Sequence, residues 1–222
     1  MQTAEIELKF RVDDPALLES LLPSLGFQLD TPRTLEQNTL YDTPDRGLRH
    51  SKQILRLRRY GALWTLTHKR QPQLAEDAAT TRYKVRIETE THLDDGPALG
   101  VIFEQLGYAA VFRYEKFRTE WSHRASAVED GPAAHEGSRA EDSFALGHLV
   151  LDETPIGNYA ELEGPPAWID DTLALLGVDP ASCLTDSYGK LFLAWKERTG
   201  SAAEHLTFDE IPSPAMLAAA LG

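Results

Sequence analysis

Charged and apolar residues alternate strictly along several segments of this chain, and this pattern limits the folds that are open to it. Residues 4–12 alternate charged side chains with apolar ones, the charged ones being Glu5, Glu7, Lys9 and Arg11. Because consecutive side chains of a β-strand point to opposite faces, these four charges share one face of a strand. A single strand of this kind is typical of the solvated face of an open sheet.

The pattern recurs in at least five further segments, and this recurrence favours a closed sheet. Two of the segments carry clustered cations on the polar face, Arg56 with Arg58 and Lys116 with Arg118. A barrel of about eight such strands has an interior wide enough for a small ligand. With the charged faces inward, helices would cover the apolar exterior. We therefore predict a soluble α+β protein, a closed eight-stranded β-barrel with helices packed outside.

Part of the sequence is repeated. The helix start Asp-Asp-Pro-Ala-Leu at 13–17 returns as Asp-Asp-Gly-Pro-Ala-Leu at 94–99, and Leu-Gly-Phe at 25–27 returns as Leu-Gly-Tyr at 106–108. The step from position 13 to 94 equals the step from 26 to 107, and the same step carries Glu7 to Glu88. Chance similarity between two amphipathic helices would not explain the matched flanks. We interpret the repeat as an internal duplication of a strand, helix, strands unit.

The composition argues against several classes of function. Lys and Arg number 22 and Asp and Glu 35, so the formal net charge is −13, which disfavours nonspecific binding to nucleic acid or to an anionic membrane. The single cysteine, Cys183, allows no disulfide within the chain and fits a reducing cytoplasm. We expect no signal peptide, since the chain enters the first charged strand at once, and no apolar run long enough to span a bilayer. The histidines show no close-spaced pair of the kind that zinc requires.

The charged residues predicted to face the barrel interior suit a particular ligand. Clustered guanidinium and ammonium groups match the oxygens of a polyphosphate. The same faces also carry the carboxylates of Glu5, Glu7, Glu161 and Glu163. These would repel the anion unless a hard dication lay between them and it. Ligands that are all oxygen atoms point to Mg²⁺ or Mn²⁺. Anion, cationic walls and a carboxylate-held dication are together typical of phosphoryl transfer.

An ordered set of motifs resembles one known family. The chain carries E-x-E-x-K at residues 5–9, Y-D-T-P at 41–44, R-x-R at 56–58, T-x-K at 67–69, R-x-E-x-E at 86–90, K-x-R at 116–118, L-D…G-x-Y-x-E-x-E across 151–163 and S-Y-x-K-L at 187–191. In this order they resemble the CYTH superfamily, the triphosphate tunnel metalloenzymes that include class IV adenylate cyclases and thiamine triphosphatases. The resemblance covers roughly residues 3–195. It is interrupted by a segment at about 122–142, which its composition predicts to be a mobile insertion.

The resemblance implies a tunnel of eight antiparallel strands built from two strand–helix–strand repeats, which would form a domain at 1–198 followed by a tail at 199–222. It implies that the dication ligands are Glu5, Glu7, Asp152, Glu161 and Glu163. It implies that the substrate contacts are Lys9, Arg56, Arg58, Lys69, Arg86, Lys116, Arg118 and Lys190. Among these, the resemblance and the charge pattern assign catalytic roles to Lys69, Arg58 and Lys9.

Some of these residues have simpler interpretations. Asp152 could cap a turn, and Lys190 could be an ordinary solvated lysine on a helix. Glu88 and Glu90 could neutralise neighbouring cations in the lumen. Tyr41 is expected in the core, and His68 is expected to be structural because it lies on an apolar face.

Three functions fit these expectations. The leading hypothesis is a metal-dependent hydrolase of inorganic triphosphate, thiamine triphosphate or a nucleoside triphosphate. The second is an adenylate cyclase of the same family, which would use the same lumen, so that the sequence does not separate it from the first. The third is a non-catalytic binder of polyphosphate or organic triphosphates, which would have no need of the carboxylate cluster.

Overall fold

Eight antiparallel strands close into a barrel in the computed structural model, which describes residues 2–72, 82–124 and 145–212. The strands are β1 (Gln2–Val12), β2 (Phe27–Asp42), β3 (Ile54–Tyr60), β4 (Leu63–Arg70), β5 (Lys84–Leu93), β6 (Ala109–Arg124), β7 (Ala145–Thr154) and β8 (Gly157–Glu163). Around the barrel they follow the order β1-β5-β4-β3-β2-β6-β7-β8, with β8 paired to β1. The predicted closed barrel is confirmed.

In the described ranges, five helices lie outside the barrel. They are α1 (Pro15–Leu21), α2 (Gly47–His50), α3 (Gly96–Gln105), α4 (Pro166–Leu175) and α5 (Tyr188–Thr199), with short 3₁₀ segments at Leu22–Leu25 and Pro180–Ser182. None of these helices is long and apolar enough to cross a lipid bilayer.

The strand order and register confirm the internal duplication. Exchanging β1 with β5, β2 with β6, β3 with β7 and β4 with β8 reproduces the same strand order read in the opposite direction, as a twofold rotation would. In the β1–β5 pair, Glu5 lies opposite Arg86, which is its own counterpart in the repeat. In the β2–β6 pair, Leu35 lies opposite Phe117, one position beyond its own counterpart. The pseudo-twofold axis therefore passes through these two pairs.

Local capping repeats with the same period. Asp14 caps α1 by accepting a hydrogen bond from the Leu17 amide at 3.0 Å, and Asp95 caps α3 through the Ala98 amide at 2.9 Å. The turns that follow the two helices contain Gly26 with φ 85° and its counterpart Gly107 with φ 88°. This left-handed conformation favours glycine, which explains why both copies carry it.

The helices cover the apolar outer face of the strands. One core cluster packs α4, through Ile169 and Leu173, against Leu8 of β1 and Leu162 of β8. Another packs Phe103 of α3 against residues of β2 and β3, and it includes Tyr41, which the sequence predicts to be a core residue.

The segments on either side of α5 pair with two strand edges of the barrel. The pairing of β1 with β5 ends at Glu7, which lies opposite the first residue of β5. Two residues further along β1, the backbone of Lys9 pairs instead with that of Leu184, with N–O distances of 2.7 and 3.1 Å. Leu206 hydrogen-bonds the backbone of Arg113 and Glu115 on β6 and is fully buried. These attachments position the N-terminus of α5 at the barrel interior.

The predicted insertion and tail are described only in part. Residues 122–124 form the end of β6, and 125–144, the greater part of the predicted insertion, lie outside the described residues. Within the predicted tail, Leu206 and Ile211 join the core cluster of α5. The Ala/Leu-rich end of that tail, from residue 213 onward, also lies outside the described residues.

Candidate functional site

The barrel encloses a cavity of about 460 Å³ whose wall is mainly charged. The alternation along each strand produces this wall, since the residues that face inward are those on the polar face. The charged residues that line the cavity include Glu5, Glu7, Lys9, Arg56, Arg58, Lys69, Lys84, Glu88, Glu90, Lys116, Arg118, Glu120, Glu161 and Glu163.

Three carboxylates meet on one side of the cavity. One oxygen from each of Glu5, Glu7 and Glu163 lies within 4.8 Å of those of the other two. The strand register causes this, because β1 and β8 place Glu7 directly opposite Glu163. Burial, followed by the charge of Glu5, raises the pKa of Glu163 to about 7. A set of crowded oxygen ligands that resists full ionisation fits a hard dication such as Mg²⁺ or Mn²⁺.

The raised pKa of Glu163 predicts how stability depends on pH. A carboxyl whose pKa is higher in the folded than in the unfolded protein stabilises the fold below about pH 4.5, and this contribution is lost as the pH rises through 7. We therefore compare the free energy of unfolding of metal-free Glu163→Gln with that of metal-free wild type. The variant's value minus the wild-type value should be larger at pH 8 than at pH 5, by on the order of 1–3 kcal/mol. Urea denaturation in EDTA at the two pH values measures this increase. A difference that does not change with pH would contradict the crowding, and Mg²⁺ or Mn²⁺ should shrink it at pH 8 by stabilising the wild type.

Two of the five predicted metal ligands, Glu161 and Asp152, lie outside the three-carboxylate cluster and pair with cations. Glu161 contacts the Lys9 ammonium and accepts a hydrogen bond from Arg118 Nη2 at 2.9 Å. Asp152 is fully buried and accepts hydrogen bonds from Lys116 and, in bidentate fashion, from Arg118, each at 2.8 Å. It also accepts one from the Tyr188 hydroxyl at 2.6 Å. The structure therefore brings together three of the five carboxylates. It places Asp152 and Glu161 among the cations that were predicted to contact the substrate.

Four cations, Arg56, Arg58, Lys116 and Arg118, form a cation wall that lies across β3 and β6. Arg56 donates to the Tyr114 hydroxyl at 3.3 Å and to Thr67 at 3.2 Å. Arg58 lies 3.6 Å from a Glu90 oxygen, and burial together with the charge of Arg56 lowers its pKa. Among the described residues, the Nε groups of Arg56 and Arg58 are buried without a hydrogen-bond partner. Buried polar groups normally have a hydrogen-bond partner, so these unpaired donors and the positive charge of the wall favour an anion in the adjoining cavity.

The remaining lining cations include three lysines, of which two were predicted. Lys9 is almost completely buried and lies 4.4 Å from the centre of the Tyr188 ring. Burial alone would lower the pKa of Lys9, but the charges of Glu161 and Glu7 outweigh it and raise that pKa. Lys69 pairs with Glu5 at 3.0 Å and with Glu88, and burial lowers its pKa. These contacts also agree with the interpretation of Glu88 as a counterion.

Arg86 and Lys190 are not among the residues that line the cavity. Arg86 lies opposite Glu5 in the strand register, but its guanidinium donates to the Val85 carbonyl at 3.1 Å. The Lys190 side chain is 73% exposed and pairs with Asp186, which precedes α5. This is the arrangement of an ordinary solvated lysine. His68 hydrogen-bonds Gln53 at 2.8 Å, as a structural histidine would.

Several residues of the site were not among the predicted site residues, and three of them are Lys84, Tyr188 and Glu36. Lys84 lines the cavity and pairs with Glu7, and its place in the alternating segment 82–91 was the available signal. Tyr188 reaches the cavity from the first turn of α5. Glu36 is fully buried behind the cation wall. Because β2 has polar residues on both faces, the sequence did not show that the Glu36 side chain points inward.

Comparisons with known proteins agree with this geometry. The family model of the CYTH domain matches residues 3–164. The fold is similar to that of a candidate adenylate cyclase from Vibrio parahaemolyticus, with 17% identity over 85% of this chain and 97% of that one and a TM-score of 0.63. It is also similar to a protein from Pyrococcus horikoshii, with 21% identity, coverage of 86% and 99%, and a TM-score of 0.61.

A third similar structure is a candidate adenylyl cyclase from Hippeastrum that has a dominant triphosphatase activity, with 19% identity over 86% of this chain and 96% of that one and a TM-score of 0.53. At such identities these likenesses show a shared fold. A search of curated proteins found no match. Since the family model spans more than half of the sequence, this chain belongs to the CYTH family.

Proposed function

We propose that this protein is a metal-dependent hydrolase of a triphosphate. The observation that carries the proposal is that one lumen holds a three-carboxylate cluster and a wall of four cations. The first group fits a dication and the second fits phosphate oxygens. The triphosphatase activity of the Hippeastrum protein supports the choice of reaction.

The ion pairs of the lumen predict that anion and metal bind together. The lysines and arginines that line the cavity all lie within ion-pair distance of a carboxylate, as in the pairs of Lys69 with Glu5 and of Arg56 with Glu90 at 3.5 Å. A triphosphate that entered alone would add several negative charges to a lumen whose cations are already compensated. The proposed Mg²⁺ or Mn²⁺ would neutralise part of that charge and polarise the phosphate oxygens.

The protein groups have separate parts in the proposed reaction. Glu5, Glu7 and Glu163 would hold the dication, while the cation wall would hold the phosphate chain. Hydrolysis requires that a water attack the terminal phosphorus in line with the leaving oxygen. Guanidinium and ammonium groups fixed before the reaction stabilise the charge on the non-bridging oxygens, and we assign this role to Arg58, Lys69 and Lys9.

A substrate panel tests the proposal. The purified protein should release phosphate from inorganic triphosphate, thiamine triphosphate or ATP in the presence of Mg²⁺ or Mn²⁺, and EDTA should abolish this release. Cyclic AMP as the main product from ATP would contradict the hydrolase and support the cyclase. Tight triphosphate binding that is indifferent to EDTA, with no turnover of any substrate, would contradict both and support a non-catalytic binder.

A further inference from the structure

Glu36 lies behind the cation wall as seen from the cavity. Its side chain is fully buried and does not line the cavity. Three cations that do line the cavity surround it, with nitrogen–oxygen distances of 3.4 Å to Lys116, 3.8 Å to Arg58 and 3.9 Å to Arg118. The amide of Asn38 donates a hydrogen bond to one Glu36 oxygen at 2.9 Å.

The contacts of Glu36 with these cations are ion pairs without short hydrogen bonds. The other carboxylate oxygen, Oε2, has no hydrogen-bond partner among the described residues. Asp152 differs in this respect, because it holds Arg118 with two hydrogen bonds of 2.8 Å. Glu36 thus supplies negative charge while the N–H groups of the Arg58 guanidinium, which lies 3.8 Å from it, stay available to a ligand in the cavity.

Glu36 is ionised in this setting. Burial by itself would raise the pKa of Glu36, but the charges of Lys116, Arg118 and Arg58 outweigh burial and hold the pKa well below its usual range. The cations also repel one another, since the charges of Arg56 and Arg118 help to lower the pKa of Arg58. An anion-free wall of this kind needs a counterion, and Glu36 supplies one from behind.

We propose that Glu36 is a resident counterion that holds the cation wall together when the lumen is empty and weakens its grip on bound phosphate, so that product anions leave. Glu36 is a positioning residue, because it acts through Arg58, Lys116 and Arg118. The inference rests on the proposed function of the lumen as a triphosphate site. It implies that an anion in the cavity replaces part of the stabilisation that Glu36 gives the wall.

The substitution Glu36→Gln tests this by removing the charge while keeping the shape and the acceptor for Asn38. Without ligand, the variant should melt at a lower temperature than wild type, and inorganic triphosphate should raise its melting temperature by more. Calorimetry without metal should show that the triphosphate dissociation constant of Glu36→Gln is at least about tenfold lower than that of wild type. This is the effect expected for removing one negative charge a few ångströms from the anion. With metal and substrate, kcat and KM should both fall, because product release becomes slower.

Glu115→Gln is the matched control. Glu115 precedes Lys116 on β6 but accepts hydrogen bonds from Gln37 and the Phe208 amide on the outer side of the barrel. Its loss should lower the melting temperature without tightening triphosphate binding. A general structural lesion would weaken binding in both variants. If Glu36→Gln is not recovered folded, Glu36→Asp, which draws the charge away from the cations, should show a smaller tightening.

The outcomes separate this inference from the proposed function. Triphosphate affinity in the folded variant that is equal to or weaker than that of wild type would overturn the role of Glu36. If the wild type binds no triphosphate with or without metal, the proposed function itself fails. Tighter binding in Glu36→Gln in a protein that turns over none of the substrates would support the counterion and contradict the hydrolase.

Discussion

Replacing Arg58 with alanine should lower the rate of triphosphate hydrolysis by about 10- to 1000-fold, and raising the Mg²⁺ or Mn²⁺ concentration should not restore it. Arg58 lines the cavity, and its contacts with Glu36 and Glu90 are ion pairs at 3.8 and 3.6 Å. These distances are too long for hydrogen bonds, so the terminal N–H groups of its guanidinium can donate to a phosphate oxygen. The missing contact would be one to the anion, which added metal cannot replace.

The matched variant is Glu163→Gln, which removes a carboxylate from the three-carboxylate cluster. Glu5 and Glu7 pair with Lys69 and Lys84, whereas we find no ion pair to Glu163 in the described ranges, so that this change disturbs the lumen least. Its rate should fall and then recover in part as the metal concentration rises. Glu161→Gln is a poorer choice, because Glu161 pairs with Lys9 and Arg118.

Titrating metal against initial rate in the two variants decides between the roles. Metal rescue of Arg58→Ala to the same degree as Glu163→Gln would show that the division of the lumen into a metal side and a phosphate side is wrong. Unchanged rates in both variants would remove both residues from the reaction. Both proteins should remain folded, which circular dichroism can verify before the titration.

The substitution Asp152→Asn should destabilise the protein by about 3–5 kcal/mol. Asp152 accepts hydrogen bonds from Lys116, Arg118 and Tyr188 and is fully buried. The neutral amide removes the carboxylate that accepts hydrogen bonds from both cations. In the described ranges, Lys116 then keeps only its longer ion pair with Glu36, and Arg118 keeps those with Glu36 and Glu161, so that two buried cations lose much of their compensation. Urea denaturation measures the loss as a change in the free energy of unfolding.

Tyr188→Phe is the control for this prediction, because it removes only the hydroxyl that donates to Asp152 at 2.6 Å. It should cost about 1.5–3 kcal/mol, the range for a hydrogen bond to a charged group. A loss below about 1 kcal/mol for Asp152→Asn would mean that Glu36 and Glu161 compensate Lys116 and Arg118 without Asp152, because breaking a buried ion pair normally costs more. That result would reopen the assignment of Asp152 as a metal ligand.

The barrel could be predicted because its evidence is local. Period-two alternation assigns each inward residue of β1 without knowledge of its neighbours, and Glu5, Glu7 and Lys9 do line the cavity. The duplication was also readable, since the capping residues Asp14 and Asp95 retain the same spacing as the flanking glycines. Patterns that repeat within a few residues can be recognised in a single sequence.

The partners of the inward residues could not be predicted, because they depend on register between strands that lie far apart in sequence. Alternation places Asp152 and Glu163 on inward faces alike, but only pairing shows that Asp152 lies opposite Arg118 and Glu163 opposite Glu7. The motif around Lys190 gave no information on which side of α5 its side chain would take. Glu36 lay in a strand with polar residues on both faces, so its burial had no local signal.

The position of β1 in the ring has a consequence for folding. Its two neighbours are β5, which begins at Lys84, and β8, which begins at Gly157, whereas β1 itself ends at Val12. No strand adjacent in sequence pairs with it, so its docking requires long-range contacts of the kind that slow folding. Two carboxylates of the three-carboxylate cluster come from β1 and the third from β8. An intermediate in which β1 has not yet paired with β8 would therefore lack this cluster. If the proposed metal binds there, the binding of Mn²⁺ would report that pairing during refolding.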